Sequence, residues 1–125
     1  MTDKKKVLII DDDPAICESV KAILDGSGFD ASYALSGKDG LEAFRKTNPD
    51  IVLCDMMMED IDSGGQVTKI MKTERPATPV FLLSTIGDAT ASTVGLAEFG
   101  FSGVFQKPVN FDLLLAVIGR YAKAK

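Results

Sequence analysis

Residues 7–14 read VLIIDDDP: four apolar residues, three acids, then a proline. A short apolar run bounded by turn residues fits a strand buried on both faces, as in a parallel sheet. Pro14 suits the first turn of a helix, where its missing N–H has no partner to lose, and Asp13 can cap the free amides. The octet therefore predicts a strand, an acidic loop and a helix. The same unit recurs outward along the chain. IVLC (51–54) follows Asn48, Pro49 and Asp50, and VFLL (80–83) follows Pro79. Weaker strands are expected at FDASYA (29–34) and GVFQ (103–106). Helical stripes fill the gaps: Ile16, Val20, Ile23 and Leu24 form the first, and Leu41 with Phe44, behind the capping pair Ser36 and Asp39, the second. Val67, Ile70 and Met71 mark a third helix, and a small, polar stretch over 88–98 with Gly95 inside a fourth. Asn110 caps a fifth, with Phe111, Leu114, Leu115 and Ile118 facing inward.

Strands alternating with helices give an α/β chain, and right-handed crossovers prune its topologies. The expectation is a doubly wound five-stranded parallel sheet of order 2-1-3-4-5 with helices on both faces, a flavodoxin-like (βα)5 three-layer sandwich. At 125 residues it is expected to form one domain over 1–125. With 46% apolar residues the chain is no candidate for disorder. A net charge of −4 argues against direct nucleic-acid binding. No apolar run approaches the roughly 18 residues of a membrane span, and no secretory signal is evident, so a cytoplasmic location without membrane contact is expected. Two cysteines, Cys17 and Cys54, are too few for a disulfide framework. Cys54 reads as a small core residue, Cys17 as an inert or partly exposed helical one.

The polar residues fall in a pattern on this frame. Asp11 and Asp12 end the first strand, Asp55 the third, Ser84 the fourth and Lys107 the fifth. All lie at the carboxyl edge, and the order 2-1-3-4-5 reverses between strands one and three, where ligands of open α/β sheets bind. Three converging carboxylates need a cation, and oxygen donors select a hard one. Mg²⁺ would take Asp11, Asp12 and Asp55, with the carbonyl of Met57 as a further ligand. Lys107 adds a positive charge and Ser84 a hydroxyl. The set fits an aspartate that accepts a phosphoryl group, with Asp55 as nucleophile. Taken singly each residue has a plainer reading: Asp13 as a cap, Glu59, Asp60 and Asp62 as solvated loop charges, Lys107 and Pro108 as a loop.

VLIIDDDP (7–14), PDIVLCDMMMEDID (49–62), TPVFLLST (78–85) and GVFQKP (103–108) resemble, in order and separation, the receiver domain of two-component response regulators. The resemblance implies Asp55 as phosphoacceptor, Asp12 as direct Mg²⁺ ligand, Asp11 acting largely through water and Met57 donating its carbonyl. It implies Ser84 as the switch hydroxyl, Lys107 as the lysine that meets the phosphoryl group, and a cis bond before Pro108. The implied function is phosphorelay signal transduction. A sensor histidine kinase or phosphotransfer protein supplies the phosphoryl group, and the face made by the fourth helix, fifth strand and fifth helix switches. Such a chain catalyses its own aspartyl phosphorylation and dephosphorylation without turning over an external substrate. It acts on a downstream protein or output domain that the sequence does not name, and a homodimer is compatible with the resemblance.

Departures from the family pattern stand out. Val104 replaces the aromatic that family members usually carry three positions before the lysine and that swings inward on activation, with Phe101 and Phe105 as candidate substitutes. Glu59 replaces a proline, Ser63 a glycine, and Thr85 a smaller residue. Met57 and Ile86 flank the site without a group to position a hydrolytic water, which predicts slow self-dephosphorylation. These departures motivate an alternative, a degenerate receiver acting as a phosphorylation-independent interaction module. A phosphohydrolase built on Asp11 and Asp13 lacks a hydroxyl residue at Ala15 and a cap domain. A flavin carrier is disfavoured because three acids stand where a phosphate cradle should be.

Overall fold

The first strand, β1 (Lys6–Ile10), is followed by α1 (Pro14–Gly26), β2 (Asp30–Ala34), α2 (Gly37–Thr47), β3 (Ile51–Asp55), α3 (Ser63–Glu74), β4 (Val80–Thr85), β5 (Gly103–Lys107) and a C-terminal helix, α4 (Phe111–Lys123). This computed structural model describes residues 4–55, 63–85, 102–107 and 109–123. The helix expected over 88–98 lies outside them, as do Met57, Glu59, Asp60, Asp62, Ile86, Phe101 and Pro108.

The sheet is parallel throughout, in the order β2-β1-β3-β4-β5. Val7 of β1 pairs with Ala31 on one side and Ile51 on the other. Strand residues alternate between two cores, as the period-two pleat requires. Val7, Ile9, Leu53, Leu83 and Phe105 pack beneath α1 and α4, against Val20, Leu24, Leu114 and Ile118. Leu8, Ile10, Val52, Cys54 and Val80 pack on the opposite face, beneath α2 and α3, against Phe44, Val67 and Met71. Burial on both faces is why these strands read as unbroken apolar runs.

Local chemistry sets the helix ends. Asp13 accepts a hydrogen bond from the Ala15 N–H (3.0 Å) at the start of α1, and Ser36 Oγ accepts one from the Asp39 N–H (3.1 Å) at the start of α2. Asn110 Oδ1 accepts from the Leu113 N–H (3.1 Å) ahead of α4. Helix α2 stops at Asn48, whose left-handed backbone (φ 53°) turns the chain toward β3. Helices α2 and α3 are joined by Arg75, whose Nη1 donates to the Phe44 carbonyl (2.7 Å) while the guanidinium lies 4.5 Å from the centre of the Phe44 ring.

Burial sorts the residues of the expected helices and corrects one expectation, that of a partly exposed Cys17. The third helix is present as expected; of the three residues that mark it, Val67 and Met71 are buried and Ile70 is exposed. Cys17 is fully buried rather than partly exposed, because α1 presses it against the loop after β1. Ile16, Ile23, Leu41, Phe111 and Leu115 flank their stripes half-buried, while Val20, Leu24, Phe44, Leu114 and Ile118 are the buried residues.

Candidate functional site

The loop after β1 is built around Asp11. Its N–H extends the sheet by donating to the Ala34 carbonyl (3.1 Å), and its side chain is fully buried. Asp11 Oδ1 accepts the Asp13 N–H (2.9 Å), and Asp11 Oδ2 faces the Lys107 ammonium at 2.8 Å. This second contact is an ion pair without the angle of a hydrogen bond. Asp13 is exposed and engaged in capping α1, so its plainer reading holds.

Asp55 closes β3 and is buried beside Asp11; Asp12, next along the loop, is exposed. Carboxylate oxygens of Asp11, Asp12 and Asp55 all lie within 4.8 Å of one another. Lys107, the last residue of β5, reaches across to pair with Asp55 Oδ2 at 3.3 Å as well as with Asp11. Ser84 is buried at the same edge, one residue beyond Leu83, which pairs with Asp55 in the sheet. The structure thus brings Asp11, Asp12, Asp55 and Lys107 together and sets Ser84 at the same edge.

The electrostatics follow from this packing. Burial alone would lower the Lys107 pKa, but the carboxylates of Asp11 and Asp55 outweigh it and hold the ammonium above the usual lysine range. Three carboxylates against one ammonium leave two negative charges in excess. An all-oxygen donor set with that excess fits a hard divalent cation. The exposed Asp12 leaves the cluster a solvent-facing side. Burial, with Asp11 and Asp13 nearby, pushes the Cys17 thiol up to about 12, and burial pushes Cys54 up to about 12 as well. Neither is a thiolate near neutrality, so neither is a nucleophile.

The response regulator receiver domain profile matches residues 7–119. The chain belongs to the response regulator receiver domain family. Among solved structures, this receiver resembles the Francisella response regulator 1452 receiver domain at 30% identity and a TM-score of 0.84, over 98% of this chain and 100% of that one. It resembles the BeF3-activated DrrB receiver domain at 28% identity and a TM-score of 0.84, over 96% and 98% of the two chains. Among curated proteins it is 34% identical to the transcriptional regulatory protein ZraR of Escherichia coli (strain K12), over 93% of this chain and 26% of ZraR. It is 31% identical to the DNA-binding response regulator MtrA of Mycolicibacterium smegmatis, over 92% of this chain and 49% of MtrA. The chain therefore spans between a quarter and half the length of these curated relatives. Its acidic cluster is the phosphoaspartate type of site expected of a receiver, on which a chain acts upon its own aspartate rather than on a stream of substrate. No helix among the described residues is long and apolar enough to cross a membrane.

Val104 is half-buried, and Phe105, one candidate substitute for the missing aromatic, is already packed in the core, its ring centre 5.4 Å from that of Phe81. A ring that starts inside has no outward position to swing from. The hydrogen bond from the Cys17 thiol to the Asp11 carbonyl was invisible in the sequence, since no spacing rule links a loop carbonyl to a side chain about one turn into the next helix.

Proposed function

We propose that residues 1–125 act as one receiver unit in which Asp55 accepts a phosphoryl group from the phosphohistidine of a sensor histidine kinase or phosphotransfer protein. The observation that carries this reading is the Asp11, Asp12 and Asp55 cluster with Lys107 bridging two of its members. A carboxylate oxygen of Asp55 forms the new P–O bond as the donor's P–N bond breaks, and the donor imidazole departs with the electron pair. Asp11, Asp12 and Asp55, with the Met57 carbonyl, would hold Mg²⁺, which supplies charge neutralisation for the transferring oxygens. Both oxygens of Asp11 are already engaged, which supports an indirect part for Asp11 and a direct one for Asp12. Lys107 lies within reach of Asp55 and would exchange that contact for a phosphoryl oxygen. Ser84 would supply the hydroxyl that turns toward the phosphoryl group. The likeness to a BeF3-activated receiver supports the same chemistry, BeF3 being a stand-in for a phosphoryl group.

The reading carries a cytoplasmic location, where a kinase charges its histidine from ATP. It carries a downstream protein or output domain as the recipient of the signal, no nucleic-acid contact by this domain, and a homodimer as one form of the switched state. Intact-mass measurement after incubation with acetyl phosphate and Mg²⁺ tests it. One added phosphoryl group, absent from Asp55→Asn and from a chelated sample, is the expected result. If a kinase donor also leaves the folded protein unmodified, the acceptor assignment falls. The second reading, a phosphorylation-independent interaction module, is favoured by Val104 and the core-bound Phe105. It requires that Asp55→Asn and wild type bind their partner equally.

A further inference from the structure

Cys17 is fully buried on the inner face of α1, and its Sγ–H donates to the backbone carbonyl of Asp11 at 3.3 Å. That carbonyl belongs to the peptide unit joining Asp11 to Asp12. A peptide is planar, so fixing its oxygen fixes the plane from which the Asp12 backbone, and hence its carboxylate, departs. The Asp11 side chain is restrained independently, by the Asp13 N–H on one oxygen and Lys107 beside the other. Asp12 is exposed, so little packing around its side chain does the same for it. The restraint on Asp12 comes through the backbone on either side of it, from the Cys17 thiol on the Asp11 carbonyl and from Asp13, whose N–H is held by Asp11 Oδ1 and whose carbonyl accepts the Cys17 N–H (3.1 Å).

We infer that Cys17 is a positioning residue for the cation site, holding the Asp11–Asp12 peptide so that the Asp12 carboxylate meets the same ion as Asp55. The inference rests on the metal reading above. A thiol is a weak donor. Its loss is therefore expected to weaken Mg²⁺ binding about three- to tenfold, below the roughly 10–100-fold typical when strong outer partners of metal ligands are removed. The thiol is well suited to this place, being apolar enough for the core beneath α1 while still offering one hydrogen.

The test is Mg²⁺ affinity by titration calorimetry on wild type, Cys17→Ala, Cys17→Val and Cys17→Ser, each checked for folding by thermal melt. Valine fills the site, and slightly more, without the donor, alanine opens space without overpacking, and serine keeps a donor. Alanine and valine are expected to bind Mg²⁺ about three- to tenfold more weakly, with serine within about twofold of wild type. Rescue by serine is the readout that a merely space-filling role would not produce. Wild-type affinity in a folded alanine or valine variant overturns the inference, as does a serine variant as weak as alanine, whatever the melts show. A wild-type chain that takes up no Mg²⁺ removes instead the metal reading itself.

Discussion

Asp55 lies within 4.8 Å of two other carboxylates and 3.3 Å from one ammonium, and it is buried. Without a cation, the two neighbouring carboxylates and the cost of burial count against this charge and outweigh the attraction of Lys107. Asp55→Asn should therefore raise metal-free stability by about 1 kcal/mol, a melting shift of roughly 4 °C for a chain of this size. A lower melting temperature in chelator would show that the Lys107 pair dominates. Lys107→Met has the opposite sign. It leaves Asp11 and Asp55 facing each other with no cation, and breaking a buried pair costs roughly 3–5 kcal/mol. Lys107 is partly open to solvent, which brings the expectation down to roughly 2 kcal/mol. Because its pKa is raised in the folded state, the stabilisation from Lys107 is complete below the ordinary lysine value of 10.5 and is lost as pH rises through the folded value. Denaturant melts should thus show a gap between wild type and Lys107→Met that is constant from neutrality to about pH 9 and closes in strong alkali. A gap independent of pH would assign the loss to packing of the lysine stem.

At the level of elements, the seat of α2 on the sheet is set by Gly40. A Cβ there would lie 2.7–2.9 Å from three side-chain atoms of Ile10. Alanine would gain about 1 kcal/mol of helix propensity. Ile10 is fully buried, though, and two of the three atoms are next to its Cβ, so they move only with the side chain's root. Overpacking at about 1–3 kcal/mol wins, and Gly40→Ala should melt lower than wild type; a higher melting point would mean α2 slides freely. Ile10 directly precedes Asp11, so this contact also sets how α2 bears on the site. Much of this arrangement was legible from residue order. The strands around Val7, Ile51 and Val80 announced themselves because burial on both faces forbids polar interruptions. Asp13, Ser36 and Asn110 announced the helix starts because a free amide needs an acceptor at a fixed offset. Asp11, Asp12, Asp55 and Lys107 could be gathered because strand ends in a parallel sheet share an edge. What stayed hidden depends on distances between elements. The Arg75 link to α2, the outward turn of Ile70 and the thiol of Cys17 against Asp11 follow from how helices sit on the sheet, which no local pattern encodes.

Over the whole molecule, the cluster is the place where folding and cation binding would reinforce each other. The unfolded chain scatters Asp11, Asp12 and Asp55, and the folded sheet assembles them, so an ion that prefers the assembled set stabilises the fold by mass action. At a hundred times its dissociation constant the gain is about 2.7 kcal/mol, which corresponds to a rise of roughly 10 °C in melting temperature. The net charge of −4 also attracts cations diffusely, and that contribution must be separated from the specific one. Asp12→Asn makes the separation. Asp12 is exposed, so its loss should leave the chelated melting temperature within about 2 °C of wild type while removing most of the rise. Sodium chloride at matched ionic strength should reproduce only the diffuse part in both proteins. A Mg²⁺ rise that survives undiminished in Asp12→Asn would place the ion elsewhere on the acidic surface and detach it from Asp55. A rise that vanishes with Asp12, in a protein otherwise as stable as wild type, ties the ion to the carboxyl edge where Lys107 and Asp55 meet.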